Sequence, residues 1–277
     1  MGNNMSRSVM TAVAVSLTLA GCVATDPFLT KETRLANGKE YRLKVAGEFK
    51  KPEGKGPFPA VIILQSCGGS SPSLYDWADK MNGWGYATFL VKSLEARGMQ
   101  TCQQPFSRAM MYMDVASDAL GALEHLAKKP DVDPKRIAVI GFSLGAGAIN
   151  SEILPNYRNH EFSNLDFAGA ISFYQRCDHP MKALERFPVL QITASLDHAH
   201  HPTCANYKTN WGHNDIAKHF DRLSVVSYEG VHHAFDDTKM YSMKSDIGGN
   251  TMLYNRKAHQ ESVVRVRDFL SKTIGGR

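Results

Sequence analysis

The chain has no run of five or more basic residues. Its 32 Lys and Arg face 27 Asp and Glu, the formal net charge is only +5, and the charges are scattered. A protein that neutralises phosphates needs its basic residues gathered on one face, so a nucleic-acid partner is excluded. No internal repeat and no low-complexity tract interrupts the sequence. No apolar stretch reaches the roughly 20 residues that a membrane-spanning helix requires. Cysteine is scarce, five residues in all. The remainder is ordinary globular composition, 43% hydrophobic and 21% charged, enough for a sizeable core in one α/β domain.

The N-terminus is built differently from the rest. Arg7 precedes an apolar run from Val9 to Ala20, and Leu19-Ala20-Gly21-Cys22 closes it. A basic start, a short apolar stretch and small residues at its end make a secretory signal over residues 1–21. The ending resembles the lipobox of bacterial lipoproteins. That resemblance implies an acylated Cys22 as the first mature residue. Val23 in place of Asp implies the outer membrane, with the protein facing the periplasm and touching lipid through its anchor alone. The alternative is a plain secretory signal with Cys22 incidental. Either way the chain matures where disulfides form. Cys67, Cys102, Cys177 and Cys204 then permit two bridges in three possible pairings.

Residues 22–40 are polar and aperiodic and read as a tether; a single catalytic domain is expected over 41–277. Tyr41 to Phe49 alternates, as an edge strand does. Ala60 to Leu64 is continuously apolar and β-branched between Pro59 and Cys67-Gly68-Gly69, the pattern of a strand buried on both faces. Tyr86–Val91, Arg136–Ile140, Ala168–Phe173, Val189–Thr193 and Leu223–Tyr228 are further strands. Helices are expected over Ser73–Asn82, with Ser73 a possible cap, over Ser107–Lys128, from near Leu144, and over Lys257–Ile274. Strands alternating with helices predict an α/β fold with a mostly parallel sheet covered on both faces.

The chemistry is concentrated at three strand ends. Gly141-Phe142-Ser143-Leu144-Gly145 follows one strand and opens a helix, the context that a nucleophile elbow requires. A serine hydroxyl needs a base to take its proton as it attacks. In chain order the acid and base should follow the serine. Asp197 comes after Val189–Thr193, and His233 comes after Leu223–Tyr228. His233 is then general base and acid, and Asp197 orients it. His232 is the alternative base. Asp236 and Asp237 read as surface carboxylates beside the histidine, and Asp166 and Asp178 are less well placed than Asp197. The negative transition state calls for backbone donors: the amide of Leu144, and one from Gln65–Gly69, for which Cys67 is favoured.

These residues carry a family resemblance. Over roughly 58–272 the chain resembles the dienelactone hydrolase family of the α/β-hydrolases. The carriers are Cys67-Gly68-Gly69, Arg97-Gly98 with Cys102, Gly141 through Gly145, Phe173-Tyr174 with Cys177, Ala194-Ser195-Leu196-Asp197, and Tyr228 through Asp236. The resemblance implies an α/β-hydrolase fold, and His233-Ala234-Phe235 favours His233 over His232. It implies the bridges Cys67–Cys102 and Cys177–Cys204. The family's namesake enzymes use cysteine as nucleophile, so Ser143 points to a general ester or lactone hydrolase. The oxyanion loop of relatives more often begins His-Gly, where this chain has Gln65-Ser66. Arg97 reads as a structural ion pair, with a substrate carboxylate as the alternative partner. Phe106, Met110, Met111, Tyr174 and Trp211 are candidates for the pocket wall or for plain core.

His198, His200 and His201 with Asp197 and Cys204 have no structural-zinc spacing, and neither metal nor cofactor is expected. The expected activity is hydrolysis of a small-molecule ester or lactone through an acyl-Ser143 intermediate. A peptidase or acyltransferase on the same triad is the alternative within enzymes. An anchored, non-catalytic binding scaffold is the alternative outside them.

Overall fold

A strand buried along its whole length must be covered on both sides, and four strands here are of that kind. The computed structural model describes residues 25–30, 33–34, 40–102, 108–152, 165–175, 177, 180–197, 204, 206–240, 243–244 and 251–276. The strands in chain order are β1 Thr25–Leu29, β2 Thr33–Arg34, β3 Glu40–Tyr41, β4 Lys44–Lys50, β5 Phe58–Leu64, β6 Ala87–Val91, β7 Val132–Phe142, β8 Gly169–Phe173, β9 Val189–Ala194, β10 Leu223–Tyr228, β11 Met243–Lys244 and β12 Thr251–Met252. Every residue of β5, β6, β8 and β9 is buried. One eight-stranded sheet runs β1-β4-β6-β5-β7-β8-β9-β10. It is parallel from β6 to β10, and β4 and β1 add antiparallel at one side. This is the α/β-hydrolase architecture that the sequence predicts.

The pleat divides the core in two. Ile62, Leu64, Phe89 and Val139 point to one face, where helix α2 (Arg108–Ala127) packs Val115, Leu120, Leu123 and Leu126. Val61, Ile63, Leu90 and Ile140 point to the other. There α1 (Pro72–Gly83) supplies Leu74, Trp77 and Met81, and the C-terminal helix supplies Val266, Leu270 and Ile274. α3 (Leu144–Gly147) and α4 (Tyr207–Trp211) are short, and the C-terminal helix, α5, spans Arg256–Ile274. Asn255 caps α5 by accepting a 3.0 Å hydrogen bond from the Ala258 amide. α1 starts earlier than expected: Pro72 occupies its first turn and Ser71, not Ser73, is the residue before it.

The tether is shorter than the sequence suggests. Residues 25–29 form β1, the sheet's outer strand, so β4 lies one place in from the edge. The reason is Phe28. It is 5% exposed, with its ring centroid 5.5 Å from Phe89 and 5.9 Å from His125. Asp26 adds a 3.0 Å contact to His125 on the neighbouring helix and an ion pair to Lys129 in the loop after it. One aromatic in an aperiodic polar stretch gives no strand signal, yet here it anchors residues 25–29 to the sheet. Residues 1–21 and Cys22 lie outside the described residues. Among the described residues no helix is long and apolar enough to cross a membrane. Phe28→Ala is expected to cost about 3 kcal/mol, the order for emptying a buried aromatic site, measured as a lowered urea midpoint; a true tether would show no change.

Candidate active site

The turn after β7 is tight because two backbones meet there. A β-carbon on Gly141 would lie 2.4 Å from the carbonyl carbon of Gly145. One on Gly145 would lie 2.6 Å from Leu64 Cβ and 2.8 Å from the Leu64 oxygen. Ser143 between them has φ 51° and ψ −99°, outside the regions an L-residue prefers. Such strain persists only when surroundings hold it. Here the Ser143 amide donates to Phe173 O at 2.9 Å and the Gly145 amide to Gln65 O at 3.0 Å. The serine is thereby held at the C-terminal edge of the sheet.

Asp197 follows β9 and His233 follows β10. Between them, Ser195 N donates to Tyr228 O at 2.9 Å, Leu196 N to Val231 O at 2.8 Å, and Gly230 N to Ser195 Oγ at 2.8 Å. The two loops are therefore one unit. His233 Nδ1 and Asp197 Oδ2 stand 2.6 Å apart, both groups buried. With the carboxyl as acceptor, Nδ1–H is the donor and Nε2 is the ring nitrogen able to accept a proton. Ser143 and His233 line one cavity of about 250 Å³, with Phe142, Tyr174, Leu74, Met240 and Met252 as apolar wall. The Tyr174 ring packs on the imidazole at 4.8 Å between centroids. His232 is not on that wall.

Ser66, Cys67 and Gly68 line the same cavity. Gln65 braces this loop. Its side chain is 1% exposed, accepts from Leu94 N at 3.1 Å, and donates to Ser70 Oγ at 2.8 Å and Glu95 Oε2 at 2.7 Å. Burial works to raise the Glu95 carboxyl, but hydrogen bonds from Ser70 and Gln65 outweigh it and hold the group below its usual range. Cys67 is bridged to Cys102, and Cys102 N donates to Cys67 O at 3.0 Å. Cys177–Cys204 is the second bridge. Both pairings that the resemblance implied are present.

Arg97 is committed elsewhere. Its Nη1 and Nη2 grip Asp118 at 2.8 and 3.1 Å, Nε reaches Asp114 at 3.2 Å, and Nη1 also meets Ser93 O at 2.8 Å. Asp118 is fully buried; desolvation pushes its carboxyl up even against the guanidinium. Tyr174 is on the cavity wall, whereas Met111 is core and Trp211 donates to Cys177 O at 3.2 Å. Asp166 pairs with Arg186 near the surface. Phe106, Asp178, His198, His200, His201 and the Met110 side chain lie outside the described residues. Among the described residues no group of three or more His, Cys, Asp or Glu could hold a metal ion.

Asp236 and Asp237 are not surface carboxylates. They are 3% and 6% exposed, and both line the cavity. The turn is drawn inward by Phe235, which is fully buried against Tyr174 and Tyr228. Asp236 Oδ2 accepts from Trp77 Nε1 at 2.6 Å, and burial pushes this carboxyl up to about 7. The partner stands 159 residues away, so nothing local in the sequence marks the pair. The same holds for Met240 and Met252, brought in where His233 bridges to Met252.

Comparison with known proteins agrees with this architecture. Residues 45–274 match the dienelactone hydrolase family. No curated protein matches the chain. Among solved structures, a dienelactone hydrolase-like promiscuous phosphotriesterase from metagenomic libraries aligns with TM-score 0.62 at 17% identity, covering 91% of this chain and 100% of that one. A putative dienelactone hydrolase from Klebsiella pneumoniae aligns with TM-score 0.60 at 15% identity, covering 89% and 100%. Esterase 2 of Thermogutta terrifontis aligns with TM-score 0.56 at 14% identity, covering 91% and 95%. At such identities the likeness is one of fold. Cys102→Ser, which opens the bridge beneath the Gln65–Gly69 loop, is expected to lower unfolding free energy by about 2–4 kcal/mol, read from urea denaturation under non-reducing conditions.

Proposed function

The chain belongs to the dienelactone hydrolase family, and from that premise we propose that it is a serine hydrolase acting on small carboxylic esters or lactones. The observation that carries this is the buried 2.6 Å contact of His233 with Asp197 on the cavity that Ser143 lines from its strained elbow. In this reading Ser143 Oγ attacks the acyl carbon as His233 Nε2 takes its proton. The carbonyl oxygen becomes an oxyanion, held by the amides of Leu144 and Cys67. Collapse breaks the ester bond, and His233 returns the proton to the leaving alkoxide. Water then repeats the attack on the acyl-serine, with His233 again base and then acid, releasing the carboxylic acid and restoring the hydroxyl. Asp197 keeps the imidazole in the productive tautomer and offsets its transient charge. No cofactor enters these steps.

The apolar wall of Leu74, Phe142, Tyr174, Met240 and Met252 suits a short uncharged acyl group in a cavity of about 250 Å³. We read residues 1–21 as an export signal and Cys22 as the site of lipid attachment at the bacterial cell envelope. The two disulfides support export. With β1 beginning at Thr25, only Val23 and Ala24 separate Cys22 from the sheet.

Ser143→Ala is expected to lower kcat for short-chain 4-nitrophenyl esters by about 10⁴–10⁶-fold, and to abolish labelling by a fluorophosphonate probe. Turnover by that variant at the parent rate would end the proposal. Asp197→Asn is expected to fall by about 10⁴-fold, the size seen when the imidazole adopts the wrong tautomer. The rate declines on acidification, since the imidazole has to begin neutral to act as base; a pH profile rising into the acid range would contradict the assignment.

A further inference from the structure

The turn carrying His233 is fastened at both ends. Its start is bound to the Asp197 loop through Leu196 N to Val231 O. Its end carries Asp236, which takes the indole hydrogen of Trp77. Between these points Ala234 sits at φ 53°, a conformation that its surroundings must impose. Trp77 is itself immobilised: it is 1% exposed and packs against Phe142, Phe173 and His259 with ring centroids 6.0, 5.4 and 5.9 Å apart. Its helix, α1, begins at Pro72, directly after a loop whose Ser66, Cys67, Gly68 and Ser71 line the cavity. One hydrogen bond therefore ties the His233 turn to the helix that follows this loop.

A buried carboxyl is an expensive acceptor for an indole N–H, because desolvation opposes its charge. Simple packing would be served as well by an apolar side chain. What the carboxyl adds is a directed bond of fixed length at the third residue after His233.

We propose that Asp236 is a positioning residue, which locks the His233 turn to α1 through Trp77 and keeps the imidazole aligned with Ser143. The inference rests on Ser143, His233 and Asp197 being the hydrolytic machinery.

The groups facing Asp236 are Trp77 and Lys80 from α1 and Asp237 beside it, with His233 on the same cavity wall and His259 of α5 behind Trp77. Burial pushes the Asp236 carboxyl from its ordinary value of 3.8 up to about 7 in the folded state. The folded state thus binds this proton more tightly, so the carboxyl's contribution to stability falls as pH rises from about 4 to about 7. Asp236→Asn removes that dependence while leaving an amide oxygen to accept from Trp77.

The experiment measures kcat and KM for a short acyl 4-nitrophenyl ester with the parent, Asp236→Asn, Asp236→Ala and Trp77→Phe, all checked for folding by circular dichroism, with Ser143→Ala as baseline. Asp236→Ala and Trp77→Phe are expected to lose about 10²-fold in kcat, the effect of a misplacement of roughly 1 Å, with KM little changed. Asp236→Asn is expected to recover most of the loss, and its urea midpoint should gain on the parent's as pH rises from about 4 to about 7. Folded Asp236→Ala or Trp77→Phe with parental kcat would overturn the proposal, as would Asp236→Asn as impaired as Asp236→Ala. Should Asp236→Ala not fold, Trp77→Phe decides. Turnover by Ser143→Ala would instead defeat the hydrolase reading, whereas an inert Ser143→Ala beside fully active latch variants would defeat this inference alone.

Discussion

The arrangement of the cavity depends on how closely the turn after β7 approaches the end of β5. Gly145 stands where its missing β-carbon would strike Leu64 from 2.6 Å, and its amide is bonded to Gln65 O. That contact joins the serine turn to the Gln65–Gly69 loop as one rigid piece. Everything on the serine side is then indexed to it. The elbow cannot relax without moving β5, and β5 pairs with β6 and β7 in the middle of the sheet. Strain at Ser143 is tolerable because a strand buried along its whole length opposes it.

The histidine side is held by different means. β9 and β10 lie at the far flank of the sheet, and β10 is the outer strand there. An edge element is more easily displaced than a central one. Here the loops after these strands are cross-linked by backbone hydrogen bonds, by the buried His233–Asp197 pair and by the Trp77–Asp236 bond. The Trp77–Asp236 bond starts on α1, which packs over the central strands. The flexible flank is thus referred back to the rigid centre, and both halves of the cavity share one frame.

What could be read from the sequence follows from the range of each signal. Ala60 to Leu64, Val189 to Thr193 and the G-x-S-x-G turn are local patterns with one physical meaning each, so strand order in the chain, the elbow and the three strand ends were legible. Phe28 was not, because a lone aromatic in a polar segment has no period to betray it. Asp236 was misjudged for a related reason. An acid in a loop is normally solvated, and only Trp77, brought from a distant helix, makes this one buried. Nothing in the sequence shows what Gln65 does where relatives more often have His; its four side-chain contacts to Leu94, Ser70 and Glu95 make it the brace of the Gln65–Gly69 loop.

The position of Arg97 bears on which substrates the cavity suits. A guanidinium is a natural clamp for a substrate carboxylate, but Arg97 is not among the residues lining the cavity that Ser143 and His233 share. To serve as one, Arg97 would have to release Asp118, whose side chain is 0% exposed. Abandoning a buried carboxylate costs about 3–5 kcal/mol, while an ion pair at a solvated rim returns about 0–1 kcal/mol. The exchange is unfavourable by several kcal/mol, so the guanidinium stays with the fold. The cavity wall meanwhile carries two carboxyls, Asp236 and Asp237, among apolar side chains. Both facts push the same way: an anionic substrate gains nothing from Arg97 and meets two acids, so an uncharged acyl group is the better fit to the proposed chemistry.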